Sequence, residues 1–196
     1  MPGVLTGCAG EHFVAYQLSA RGYPVALTRG GSPSVDLMVA TPDGRKAVTI
    51  QVKSMDRAYH PPTKKSPGYW EWILGNKPPN KSMHAQALFY AFVDLKAGTS
   101  QSPDVFIVPH DYVAEHAIGF PKPPKEARTF WFDIEEGERD KWREGWRLIE
   151  DALGYVVVPE RKQQSTARMR SPRLADPSRA AQFEMEVVEE SPDARV

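Results

Sequence analysis

The stretch SVDLMVATPDGRKAVTIQVKS, residues 34–54, carries the clearest structural signal in the chain. Two β-branched, apolar segments, Ser34 to Ala40 and Ala47 to Ser54, flank Thr41-Pro42-Asp43-Gly44, which has turn chemistry at every position. A hairpin is expected. A four-residue loop from Pro42 to Arg45, or a two-residue loop at Asp43-Gly44, makes paired positions sum to 87 and sets Asp36 across from Gln51. A three-residue loop would pair Asp36 with Ile50 instead. Side chains on a strand alternate between faces, so Val48, Ile50 and Val52 point into a core while Gln51 and Lys53 point the other way. Asp36 lies opposite in parity to Val35, Leu37 and Val39, and no other ionisable residue stands between Arg29 and Asp43.

Upstream, Gly7 to Gly22 holds helix formers, no internal proline, and a closing glycine suited to a C-terminal cap. Angular steps of 100° per residue put Glu11 in line with Val14, Ala15 and Leu18, on a face otherwise apolar. A carboxylate carried against a sheet needs a cation or hydrogen-bond donors to offset its desolvation. Tyr23 to Leu27 reads as a short strand and Thr28 to Pro33 as a glycine-rich loop.

Downstream, residues 55–80 resemble an insertion over the sheet, rich in proline, lysine and glycine around a strand at Tyr69 to Leu74. A short helix from Ser82 is expected to lead into a strand at Leu88 to Leu95. A second strand follows at Val105 to Val108, and then a short helix near Tyr112 to His116. Thr129 to Ile134 reads as another strand. A single helix over Glu138 to Leu153 would place Trp142, Trp146, Ile149 and Leu153 on one face. From Pro159 the composition turns polar, and residues 159–196 read as a disordered tail. The tail's charge is divided: residues 161–179 hold six basic side chains and one acid, and residues 184–193 hold five acids. The two halves suit attraction to each other or different partners, protein or nucleic acid.

The chain has 196 residues, enough for one domain with a core, and its 25 basic and 25 acidic residues cancel. Net charge therefore argues for no partner, and only local distribution can. A single cysteine, Cys8, excludes an internal disulfide and reads as a small buried apolar residue. The five histidines are scattered without metal-ligand spacing, and the five tryptophans read as core. No apolar stretch approaches the ~20 residues that span a bilayer. A soluble, cytoplasmic protein is expected.

Two carboxylates, a side-chain amide and backbone carbonyls form a hard oxygen set of the kind Mg²⁺ or Mn²⁺ accepts. A nearby ammonium adds the ability to orient water or to stabilise negative charge in phosphodiester hydrolysis. Gly10-Glu11, Val35-Asp36-Leu37 and Gln51-Val52-Lys53 together resemble the PD-(D/E)XK nuclease superfamily. This is the restriction-endonuclease-like fold that includes Holliday junction resolvases and Mrr-type restriction enzymes. The resemblance is most specific over residues 7–54, and the later order of elements is compatible to about residue 153.

It implies an α/β domain over residues 1–158, with the N-terminal helix packed on a central mixed sheet and flanking helices. It also implies a magnesium- or manganese-dependent deoxyribonuclease. Glu11 matches the helix acid, Asp36 the central metal-binding acid, Gln51 the position usually held by an acid, and Lys53 the catalytic lysine. The implied metal ligands are Glu11, Asp36, Gln51 and the backbone carbonyl of Val52. Val35 stands where the motif has proline. Gln51 is similar to what Mrr-like members carry, and it removes one negative charge from the metal site.

Gln86 and Tyr90 match a Gln-x-x-x-Tyr pattern that looks like one in exonuclease branches, and they enter as accessory candidates. From Lys53 to Lys81 six basic residues face two acids, a net of +4. Arg57, Lys64, Lys65, Lys77 and Lys81, with Arg29, are the candidate contacts to DNA phosphates. Many relatives dimerise to cut two strands, and no interface is legible here. The competing readings are a nuclease-fold nucleic-acid-binding or assembly module with weak or no catalysis, an unrelated α/β protein whose partner binds the tail, and a surface ion pair of Asp36 with Lys53 that contributes little, Glu11 being capped by nearby backbone.

Overall fold

A computed structural model describes residues 3–28, 35–79, 87–122 and 127–154. In chain order the elements begin with helix α1 (Gly3–Ala20) and strands β1 (Val25–Leu27), β2 (Leu37–Ala40), β3 (Ala47–Met55), β4 (Tyr59–His60) and β5 (Tyr69–Gly75). They continue with β6 (Leu88–Asp94), β7 (Asp104–Pro109), helix α2 (His110–His116), β8 (Ile118–Lys122) and β9 (Ala127–Glu135). A 3₁₀ turn at Glu136–Glu138 then leads into α3 (Arg139–Trp142) and α4 (Trp146–Leu153). Arg29, Lys81, Gln86, the helix expected from Ser82 and the tail over 159–196 all lie outside the described residues.

Helix α1 starts four residues earlier than its sequence suggests and stops where the closing glycine requires. Gly22 sits at φ 89°, its N–H bonds the Ser19 carbonyl at 2.9 Å, and the Tyr23 N–H bonds the Leu18 carbonyl at 3.2 Å. This is the Schellman pairing, and it folds Tyr23 back into the same apolar cluster as Leu18.

The first sheet has the order β1-β2-β3-β6-β7, antiparallel throughout except for the parallel β3–β6 pair. The turn chemistry sets the hairpin register as expected, with Leu37 opposite Ile50, Val39 opposite Val48 and Ala40 opposite Ala47. Thr41 bonds back to Lys46 at 2.9 Å, and Gly44 supplies the left-handed residue at φ 71°. The ladder ends at Leu37. The Asp36 N–H bonds the Ile50 carbonyl, at 2.9 Å, so Asp36 and Leu37 share Ile50 in a β-bulge and Asp36 is not the ladder partner of Gln51.

Both faces of this sheet are covered, which explains why every residue of β6 is buried. On one face α1 and α4 press Val14, Leu18, Trp146 and Ile149 against Leu37, Ile50, Val52 and Ala91. On the other lies a second, antiparallel sheet of order β4-β5-β9-β8. The strand expected inside the insertion is thus a central strand of that sheet. Trp70 and Trp72 stand opposite Ile134 and Phe132, and these side chains join Phe92, Phe106 and Val108 in one buried cluster. Trp72 is fully buried and donates its indole N–H to the Val93 carbonyl at 3.1 Å.

The single helix expected over Glu138 to Leu153 is broken at Arg143–Gly145. Glu144 adopts φ 53°, its N–H bonds the Val105 carbonyl at 2.9 Å, and Arg143 bridges to Phe106. A Cβ on Gly145 would stand 2.9 Å from the Trp142 carbonyl oxygen. The break sends Trp142 into the cluster between the sheets and Trp146, Ile149 and Leu153 into the one beneath α1, so the stripe read from sequence serves two cores. Cys8, expected inside, is exposed.

Gly10 is where α1 comes nearest to β3. A Cβ there would lie 2.6 Å from Ser54 Cβ and 3.5 Å from Val52 Cγ1, so only glycine allows this approach. Gly10→Ala should therefore lower stability by about 1–2 kcal/mol, overpacking outweighing the gain in helix propensity. Urea denaturation checks this, with Ser54→Gly in the same chain expected to recover part of the loss.

Candidate functional site

Strand β3 runs to Met55, but β2 pairs only with Ala47 to Ile50. Beyond Ile50, the edge of β3 that faces away from β6 has no strand partner among the described residues. The Val52 N–H points toward this open edge and is taken by the Asp36 carboxylate, Oδ2 accepting at 2.7 Å. N–H and C=O of one strand residue face the same neighbour, so the Val52 carbonyl is presented along the same edge. No second bond to Asp36 Oδ1 occurs among the described residues.

Two faces of the sheet become accessible together at this notch. From one side comes Glu11, one residue past Gly10, at the margin of the buried line Thr6, Gly10, Val14, Leu18. The helix is tied down beside it: Ser54 Oγ donates to the Thr6 carbonyl at 2.9 Å and Thr6 Oγ1 donates to Asp56 at 2.8 Å. From the other side come Gln51 and Lys53, opposite in parity to the buried Ile50 and Val52. The parallel register sets Gln51 beside Tyr90 and Lys53 beside Phe92.

The electrostatics of three residues converge on Asp36. Burial raises the Glu11 carboxyl above the usual glutamate range, and the neighbouring Asp36 charge raises it further, against a small opposing effect of His12. Burial pulls Lys53 below the ordinary lysine range, with Asp36 partly restoring it. Tyr90 is pushed up to about 12, first by burial and then by Asp36, so its phenol keeps its proton at neutral pH. Asp36 and Lys53 interact without forming an ion pair within 4 Å among the described residues. The surface-ion-pair alternative is not what the structure shows.

The remaining sequence candidates are distributed more widely. Tyr90 lies in β6 and stacks on both Phe92, at 5.5 Å and 7°, and His110, at 5.8 Å and 10°. His110 is buried, and nothing in its spacing marked it; only the fold brings it behind Tyr90. Arg57 is exposed beyond the end of β3, Lys64 and Lys65 are exposed between β4 and β5, and Lys77 is exposed after β5. No group of three or more His, Cys, Asp or Glu residues able to hold a metal occurs among the described residues. What the structure ties together at the notch is the Glu11 carboxyl, which senses the Asp36 charge, and the Asp36 carboxylate held by the Val52 N–H.

Replacing Asp36 by asparagine keeps an oxygen for the Val52 N–H and removes the charge. The Glu11, Lys53 and Tyr90 pKa values should then all fall, since Asp36 raises each of them. NMR titration of the Asp36→Asn protein reads this directly, and unchanged values would show that the three groups do not share a site.

No family model matches the chain, and no curated protein matches it. Among solved structures, a bacterial homing endonuclease aligns with 81% of this chain and 100% of its own, with a TM-score of 0.48 and 13% sequence identity. Among the described residues no helix is long and apolar enough to cross a membrane.

Proposed function

We propose that the chain is a divalent-metal-dependent nuclease of the PD-(D/E)XK type that hydrolyses phosphodiester bonds in DNA. The observation that carries this reading is the notch itself, where the Asp36 charge acts on Glu11, Lys53 and Tyr90 at an unpaired strand edge. Two partly buried carboxylates that repel each other are costly alone, and a cation between them would remove the cost.

Glu11, Asp36, the Gln51 amide and the Val52 carbonyl would hold Mg²⁺ or Mn²⁺. Bound there, the ion would polarise a phosphate oxygen and make a coordinated water more acidic. The chain's own groups do the rest. Lys53, easier to deprotonate than a free lysine, orients the attacking water or stabilises charge on the phosphate. The Tyr90 phenol, held protonated, donates a hydrogen bond toward an anionic oxygen. Arg57, Lys64, Lys65 and Lys77, with Arg29 and Lys81, supply phosphate contacts that position the strand.

A second reading is favoured by one specific observation: Gln51 is neutral, and no three-acid cluster stands among the described residues. A nuclease-fold module that binds or organises nucleic acid with weak catalysis has this property. It predicts salt-sensitive binding without cleavage.

Purified protein incubated with plasmid and linear DNA should cleave with Mg²⁺ or Mn²⁺ and not with EDTA. Asp36→Ala and Lys53→Ala should each lose at least about a hundredfold in rate, as expected when a metal ligand or charge-stabilising group is removed. Gln51→Glu should reach half-maximal activity at lower Mg²⁺. Affinity for Mg²⁺ should start to weaken in acid at a higher pH than an ordinary glutamate would set, because the metal-free Glu11 carboxyl has a raised pKa and must lose its proton to ligate. Full activity in the Asp36→Ala protein would place the chemistry elsewhere.

A further inference from the structure

Beyond the C-terminal ends of β3 and β6 lies a cavity of about 320 Å³, within the range that holds small ligands. Its rim is built rather than loose. Lys96, in the left-handed region at φ 49°, donates its N–H to Asp94 Oδ1 at 3.1 Å and its ammonium to Asp104 Oδ2 at 2.9 Å. Leu95 and Ala97 tie the same loop to Met55 and Asp56, at 3.0 and 2.8 Å. The cavity is therefore formed before anything enters it.

Its lining has three kinds of chemistry. Tyr59 and Trp70 contribute aromatic surface, their rings 4.6 Å apart and tilted by 44°, and the buried Trp70 indole N–H has no hydrogen-bond partner among the described residues. Asp94 is only 2% exposed, the Lys96 N–H takes its Oδ1, and its side chain lines the cavity with Oδ2 free to accept a further bond. Asp104, by contrast, is satisfied by Lys96 and by Arg143 at 2.6 Å. At the rim the exposed Arg57 makes only long contacts of 3.4 Å to the Ala97 carbonyl, which leaves guanidinium N–H groups for an anion.

We propose that this cavity receives one unstacked nucleobase bearing an exocyclic amine, from the strand bound at the notch. The base packs on Tyr59 and Trp70, its amine donates to Asp94, and Arg57 meets the adjoining phosphate. Cytosine presents an N4 amine to the carboxylate, whereas thymine flanks its one N–H with two carbonyl oxygens that a carboxylate repels. Arg57 follows Lys53 by four residues, at most about 13 Å of strand, so one nucleic-acid strand can occupy both places. The inference rests on the nuclease reading for the presence of that strand.

The test is binding of single-stranded ten-mers of dC and of dT to the full chain in EDTA, followed by fluorescence anisotropy. The dC ten-mer should bind about tenfold more tightly, and Asp94→Asn, which keeps the Lys96 bond through its amide oxygen, should abolish that preference. Tyr59→Ala, at an exposed position, should weaken both ten-mers about tenfold. Equal affinities, or a preference that survives Asp94→Asn, would overturn the assignment, and so would free dCMP binding as tightly as the ten-mer. Cleavage in Mg²⁺ with no preference in EDTA overturns the cavity proposal alone. Preference without cleavage supports it and overturns the nuclease reading.

Discussion

A strand edge without a partner exposes N–H and carbonyl groups that must be satisfied some other way. In this protein β2 stops at Leu37 while β3 continues to Met55, and the Asp36 side chain takes the Val52 N–H in place of a strand. That one hydrogen bond anchors the acid whose charge reaches Glu11, Lys53 and Tyr90. It also keeps the edge open, since a longer β2 would have closed the notch with backbone. The site is thus a consequence of where pairing ends.

Helix α1 reaches the notch because of Gly10. Were the helix held off β3 by a side chain there, Glu11 would move away from Asp36, and the mutual effect of the two acids would weaken. The tight spacing has a second support in Ser54 and Thr6, whose hydroxyl bonds pin the first turns of the helix along the strand. Packing and electrostatics are therefore coupled in this corner: the close helix–strand contact creates the carboxylate repulsion that a cation would relieve.

The opposite side of the sheet is organised by aromatic packing. Trp72, hydrogen-bonded to the Val93 carbonyl, locks the second sheet onto β6, and the broken α3–α4 segment stitches the two cores together at Arg143. Arg143 also pairs with Asp104, the acid that Lys96 engages at the cavity rim. The same ion network that fixes the chain break therefore fixes the loop beside Asp94 and Arg57.

Sequence alone determined what short-range physics controls. Turn residues at Pro42–Arg45 set the hairpin register, alternation separated Gln51 and Lys53 from Ile50 and Val52, and Gly22 ended α1. These are decided within a few residues by backbone sterics and local hydrogen bonds. The tertiary structure alone decided the rest. The bulge at Asp36 depends on where β2 stops, the β5–β9 pairing joins segments some sixty residues apart, and the break at Arg143–Gly145 depends on carbonyls of β7 that no helical periodicity registers. Side chains such as His110 and Asp94 acquired their surroundings only from these long-range pairings, because burial depends on what the rest of the chain brings near.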